Sequence, residues 1–307
     1  MPPLATGLDY VDLNFLGRPG IIATGVLHGT AGVALVDPGP ATTLGNLTTA
    51  LTRKGVRFED VRHVLLTHIH LDHAGATGSI VDRHPHIEVV VHGRGAPHIA
   101  NPERLLASAG RLYGQDMDRL WGEVKPVPVE RIKVVEGGET LLVAGREMRV
   151  AYTPGHASHH VSYFDTASRV AFVGDTAGIR RESGTYVMPP TPPPDIDLEA
   201  WRESERVILA WDPETLFLTH FGPVNSARQH MEAMFENIAL WSRIVRRLLA
   251  ETNLTDDDRA EAFVSQAFAG MRRQLGEAEA EDYTKAGGLH YSWQGLSRYW
   301  RKQAPTA

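Results

Sequence analysis

Cysteine is missing from all 307 residues, which removes a disulfide framework, a thiolate metal site and a cysteine nucleophile together. Also missing is any apolar run long enough to span a bilayer, so no membrane partner is expected. The opening MPPLATGLDYVDLNF lacks a basic segment followed by an apolar core, and the expected location is cytoplasmic. Positive charge is short as well: 31 Lys and Arg stand against 37 Asp and Glu, a net charge of −6. That balance gives no broad basic surface for a nucleic-acid partner, although a local basic strip stays compatible with it. Gly75 and Gly78 have no Lys-Ser or Lys-Thr after them, which excludes a phosphate-cradling loop. The remaining composition, 42% hydrophobic and 22% charged, is that of an ordinary globular chain with enough length for a two-layer core.

Histidine is what the chain has in quantity, 15 in all, and the stretch VLLTHIHLDHAG, residues 64–75, concentrates it. The apolar, β-branched lead predicts a strand over 61–67 that delivers the cluster to a strand end. His68 and His70 are two apart, so along an extended backbone their rings leave the same face and reach one ion. Asp72 and His73 follow where Ala74-Gly75 lets the chain turn into a helix, which points them at a neighbouring position. A single ion rarely takes four ligands from six residues, whereas two adjacent ions share them. Histidine with carboxylate suits zinc, iron or manganese better than calcium or magnesium, which prefer all-oxygen shells.

Thr67-His68-Ile69-His70-Leu71-Asp72-His73 resembles the HxHxDH signature of the metallo-β-lactamase superfamily, and further pieces follow in that family's order. They are Thr153-Pro154-Gly155-His156, Phe172-Val173-Gly174-Asp175 and Leu218-Thr219-His220, so that the resemblance spans roughly residues 8–225. It implies an α/β fold, the αββα sandwich, as a catalytic domain over 1–224 with a C-terminal helical extension over 225–307. It also implies two divalent ions, zinc first. His68, His70 and His156 would hold one, and Asp72, His73 and His220 the other, with Asp175 bridging. Asp37, in Asp-Pro-Gly after a strand, takes the place of a family residue that orients a metal-bound imidazole; a plain turn is the alternative. His160, four residues after His156, matches a family histidine that hydrogen-bonds a ligand or the substrate, while His159 stands where the family usually has glycine.

The rest of the chain reads as a scaffold for these pieces. Three short strands in 8–39 suggest a meander, the spacing of Leu44, Leu47 and Leu51 a helix, and 74–83 and 87–92 a helix and a strand. Residues 93–122 read as short helices broken by Gly and Pro, one wall of a cleft with His98, Tyr113 and Trp121 as lining. Strands are expected at 131–136, 140–144, 147–152, 169–173 and 215–218, and an amphipathic helix at 197–210. The segment Thr176–Met188 and the proline run 189–194 suggest a second wall, with Arg180 and Tyr186 as substrate contacts. From Ser226 the chain turns helical; Met231, Phe235, Ile238, Trp241, Val245 and Leu248 form one face, either core or the interface of a homodimer. The aromatic tail 287–300 is expected to pack on the catalytic lobe, with His290 an outside candidate for the site.

The resemblance implies a hydrolase in which a metal-bridging hydroxide attacks the substrate without a protein nucleophile, Asp72 aligning the water and moving a proton. The leading expectation is cleavage of a small-molecule acyl bond, a thioester or lactone, as in the glyoxalase II branch. Residues 177–184, AGIRRESG, depart from the Phe-containing, Cys-Gly continuation usual there, and Ile69 departs too, which argues against glutathione. A phosphodiesterase or nuclease is the alternative, followed by a weak β-lactamase, an iron-dependent oxygen-using enzyme and a non-catalytic binding protein.

Overall fold

The computed structural model describes residues 4–181, 184–286 and 288–303; Glu182, Ser183 and Gly287, which fall in the second wall and the tail named above, lie outside them. Twelve strands are described: β1 Leu8–Asp12, β2 Ala23–Gly29, β3 Gly32–Val36, β4 Val61–Leu65, β5 Glu88–His92, β6 Ile132–Val135, β7 Thr140–Val143, β8 Arg146–Tyr152, β9 Val161–Asp165, β10 Val170–Phe172, β11 Thr215–Leu218 and β12 Gly222–Val224. The helices are α1 Leu44–Arg53, α2 Leu71–Ala74, α3 Thr77–Arg83, α4 Ala96–Ala100, α5 Glu103–Tyr113, α6 Met117–Leu120, α7 Leu198–Ala210, α8 Ala227–Ala250, α9 Asp256–Leu275, α10 Glu277–Ala286 and α11 Leu289–Gln303. None is long and apolar enough to cross a membrane, among the described residues.

The strands make two six-stranded sheets, one in the order β1-β2-β3-β4-β5-β6 and the other β12-β11-β10-β9-β8-β7. Strand alternation assigns each side chain to a layer. In β3, Ala34 and Val36 join the cluster between the sheets, while Val33 and Leu35 join the one under α1, α3 and α5. Likewise Phe217 of β11 faces inward and its neighbours Leu216 and Leu218 face the outer helices. Three apolar clusters therefore separate four layers, the αββα sandwich.

The α8 face of Met231, Phe235, Ile238, Trp241, Val245 and Leu248 is buried in the outermost cluster, together with Trp293 and Leu296 of α11 and Ala171 of β10. It is core. The three-strand start is antiparallel as expected, but β1 stops at Asp12, and Asn14 and Leu16 take left-handed backbone conformations in the turn that follows. β9 had no counterpart in the sequence reading. All five of its residues are buried, so no polar face alternates with an apolar one, and its Asp165 is held by a bidentate Arg146 at 2.7 and 2.9 Å. β12 was hidden similarly, since Pro223 reads as a turn but is tolerated on an edge strand.

Candidate metal centre

The loops after β3, β4, β8, β10 and β11 meet at one end of the sandwich, and Asp37 ties them together. It is fully buried, with φ +51, directly after β3. Its Oδ1 accepts the Thr67 N–H at 2.8 Å, and its Oδ2 accepts the Thr67 hydroxyl at 2.7 Å, the Thr219 hydroxyl at 2.7 Å and His73 Nδ1 at 2.8 Å. Asp37 thus orients an imidazole, and the plain-turn alternative falls away.

Around it the rings are locked in one tautomer each. A carbonyl only accepts, so His156 Nδ1–H donates to Pro190 O at 2.8 Å and His220 Nδ1–H donates to Ile21 O at 2.8 Å. The Thr67 hydroxyl proton is committed to Asp37, so the same oxygen accepts from His68 Nδ1 at 3.1 Å. With Asp37 holding His73 Nδ1–H, four imidazoles turn an Nε2 lone pair inward. His70 is reversed: its Nδ1 lies 2.9 Å from His68 Nε2 and 2.9 Å from His156 Nε2.

Three donor groups result, His68–His70–His156, His68–His73–Asp175 and Asp72–His73–His220, each with its ligand atoms within 4.8 Å of one another. Asp175 lies between them, Oδ2 3.4 Å from His156 Nε2 and Oδ1 3.2 Å from His73 Nε2 and 3.6 Å from His220 Nε2. His73 Nε2 and Asp175 Oδ1 are buried and form no hydrogen bond, although they are that close. Two orphaned buried atoms aimed at the same space fit a cation that both would hold.

The electrostatics agree. Burial, then His156, lowers His70 to about 4, and burial lowers His68 and His156 as well, so these rings stay neutral with lone pairs available. Burial alone would lower His73 and His220, but the Asp175 and Asp72 carboxylates outweigh it and raise both. Burial would raise Asp72; His73 and His220 outweigh it and pull the carboxyl down to about 2. The site thus sets three neutral imidazoles beside two ionised carboxylates, and those carboxylates hold positive charge at His73 and His220 where a bound cation would take the proton's place; this is the donor chemistry of zinc, iron or manganese.

Gly155 sets the approach of His156. Its φ is +135, and a Cβ there would lie 2.3 Å from Trp201 Cβ and 2.4 Å from Trp201 Cα of α7. Gly155→Ala is expected to destabilise the fold by about 2–3 kcal/mol through backbone strain and overpacking, read as a lower urea midpoint. An unchanged midpoint would show that α7 gives way freely.

A cavity of about 770 Å³ opens onto the cluster, and Asp72, Asp175, His70, His156 and His220 line it. Residues 93–122 form the short helices α4, α5 and α6 along one wall, and His98, Tyr113 and Trp121 all line it. Pro189–Pro194 line another wall, and Tyr291 of α11 closes on Tyr113 with ring centroids 5.4 Å apart. Arg180 and Tyr186 do not line it. Tyr186 is buried against Tyr283 at 5.3 Å, and the Arg180 guanidinium donates to the Arg181 and Pro223 carbonyls. Sequence offered only their proximity to Asp175; the chain turns Tyr186 into the helical layer and Arg180 onto the carbonyl edge of β12. His290 is exposed and away from the cavity. His160 is fully buried behind Asp175, whose N–H donates to its Nε2 at 3.3 Å, so it supports a ligand and does not face the substrate space. The sequence reading gave no role to the Thr67 and Thr219 hydroxyls or to the Pro190 and Ile21 carbonyls. Each Thr directly precedes a ligand-candidate histidine at a strand end, which was the available signal.

The metallo-β-lactamase superfamily profile matches residues 17–220. A metallo-β-lactamase fold-containing protein of Sulfurisphaera tokodaii is 26% identical over 74% of this chain and 84% of its own length. A hydroxyacylglutathione hydrolase of a Synechococcus strain is 29% identical, over only 48% of this chain and 44% of its own length. Among solved structures, a metallo-β-lactamase family protein of Thermus thermophilus superposes with a TM-score of 0.71 over 98% of this chain and 95% of that one, at 23% identity, which is a likeness of fold. With two thirds of its length matched by the family profile, this chain belongs to the metallo-β-lactamase superfamily.

Proposed function

We propose that this metal-dependent hydrolase holds two divalent ions, zinc first, and cleaves the acyl bond of a small-molecule thioester or lactone. The observation that carries the reading is the division of Asp175. One of its oxygens faces the His156 side and the other the His73 and His220 side, as a carboxylate shared by two cations would. His68, His70 and His156 would hold one ion, Asp72, His73 and His220 the other. Ions bound there supply Lewis acidity, which brings a water's pKa towards neutrality and polarises a carbonyl.

The chain's own residues do the rest. Asp72 is a cluster carboxylate with a side chain 26% exposed, and it lines the cavity, so its oxygens are placed to orient a water and accept a proton. The five prolines at Pro189, Pro190 and Pro192–Pro194, with Tyr113, Trp121 and Leu105, make much of the wall apolar, which favours a small acyl substrate and excludes bulk water. Partial similarity to hydroxyacylglutathione hydrolases supports the acyl class without carrying over glutathione.

The test is a matched panel on metal-reconstituted protein: an acyl thioester, an acyl-homoserine lactone and an activated phosphodiester. An acyl substrate is expected to lead in kcat/KM by about tenfold or more, a transition-state difference of ~1.4 kcal/mol. A lead for the phosphodiester would replace the acyl reading with phosphoryl transfer.

A further inference from the structure

Beside the histidine–aspartate cluster the cavity has a second polar patch. Arg94 follows β5, His98 lies on α4 and His159 comes three residues after His156, and all three line the same space. Tyr152, the last residue of β8, organises them. Its ring stacks on His92 at 4.5 Å and carries the Arg94 guanidinium 5.8 Å from its centroid. Its hydroxyl donates to the Ser158 carbonyl at 2.9 Å, and Ser158 Oγ donates to Asp195 Oδ2 at 2.6 Å. One aromatic side chain therefore fixes both the guanidinium and the turn that presents His159.

His159 is not explained by the metal cluster. Its ring lies parallel to His68 at 6.1 Å and edge-on to His70 at 5.6 Å, outside the three donor groups. Its Nδ1 is buried with no hydrogen-bond partner among the described residues. Leaving such a buried ring nitrogen unpaired costs about 1–3 kcal/mol, a cost that a bound ligand would remove. The cavity's charge points to the ligand's sign. Outside the cluster the lining carries three arginines, Arg94, Arg104 and Arg119, against two aspartates, Asp116 and Asp195; Arg119 is paired with Asp116 at 2.9 Å, and Arg94 and Arg104 form no ion pair among the described residues. Outside the cluster, the unbalanced charge is positive.

We propose that Arg94, His98 and His159 form an anion subsite, and that the acyl substrate carries a carboxylate which docks there while its scissile bond lies at the histidine–aspartate cluster. Arg94 offers the planar fork that matches a carboxylate, and His159 Nδ1–H completes the recognition from the buried side. Apolar lining in the same cavity, Ile69 and Leu71 among it, suits a short methylene chain that joins the carboxylate to the acyl group. Which bond is cleaved rests on the acyl-hydrolase reading; the anion binding does not.

The test is binding, independent of turnover. Metal-loaded protein is titrated by calorimetry with succinate, glutarate and adipate, each paired with butyrate, pentanoate or hexanoate of the same chain length. Either member of a pair is able to place one carboxylate at the metals, so the ratio of affinities isolates the second. At least one dicarboxylate is expected to bind about tenfold more tightly than its partner. Arg94→Gln, at an exposed position, and His159→Gly, which restores the family's usual residue, are each expected to bring that ratio close to one. A ratio near one for every pair in the unaltered protein, or an undiminished ratio in both variants, would overturn the subsite. An intact ratio with no acyl hydrolysis would instead retire the acyl reading and keep the subsite.

Discussion

Asp175→Ala is expected to lower kcat/KM by about 10³-fold or more, because a water without its acidifying ions returns towards its bulk pKa. The carboxylate is 4% exposed and stands between His156 on one side and His73 and His220 on the other. Removing it takes away a donor from both groups and half of the negative charge that balances the cations. Asp175→Asn separates the two effects. It keeps the volume and one acceptor oxygen, so it is expected to hold the ion on the side that the amide oxygen faces and weaken the other. Metal per chain by mass spectrometry, read beside hydrolysis rates and thermal melting, checks both. Alanine at this position with full metal and full turnover would dismiss the shared-carboxylate assignment.

Why the metal cluster was legible and its surroundings were not has a physical basis. The HxHxDH spacing fixes donors through backbone periodicity alone, since a strand followed by a helical turn leaves His68 and His70 on one side and Asp72 and His73 on another. Gly155 came with the Thr153-Pro154-Gly155-His156 piece, and its φ of +135 is a local backbone demand that such a piece carries. The αββα layering came with the family resemblance, which the alternation of strands with helices fits, though β9 escaped because a strand buried on both faces shows no alternation. Substrate contacts depend on tertiary direction, which spacing does not encode. Arg180 and Tyr186 sit close to Asp175 in sequence, yet Tyr186 turns into the helical layer and Arg180 onto β12, while Arg94, 62 residues before His156, reaches the cavity beside the Tyr152 ring. The Asp37 network is likewise nonlocal, joining Thr67 and Thr219 across 30 and 182 residues.

That network makes Asp37→Asn the more discriminating variant. The left-handed φ of +51 is one that asparagine tolerates, so the backbone is spared. The chemistry is not. Oδ1 accepts a backbone N–H from Thr67, which has no means of reversing, so the amide nitrogen is forced into the Oδ2 position. There it meets two hydroxyls, which are free to rotate and accept, and His73 Nδ1, which accepts only by moving its proton to Nε2. The proton then occupies the lone pair that faces Asp72 and Asp175. Affinity at Asp72–His73–His220 is expected to fall about 10–100-fold, the cost usual for losing the group behind a metal-bound imidazole, while His68–His70–His156 keeps its ion. Asp37→Ala leaves the Thr67 N–H and His73 Nδ1 unpaired, and adds a stability loss of about 1–3 kcal/mol for each buried group. A chelator competition titration resolves the two ions, and the nitrogen chemical shifts of His73 report its tautomer directly. If Asp37→Asn holds both ions at unaltered affinity, the tautomer of His73 is set by something other than Asp37, and the carboxylate serves only to anchor the loops that carry Thr67 and Thr219.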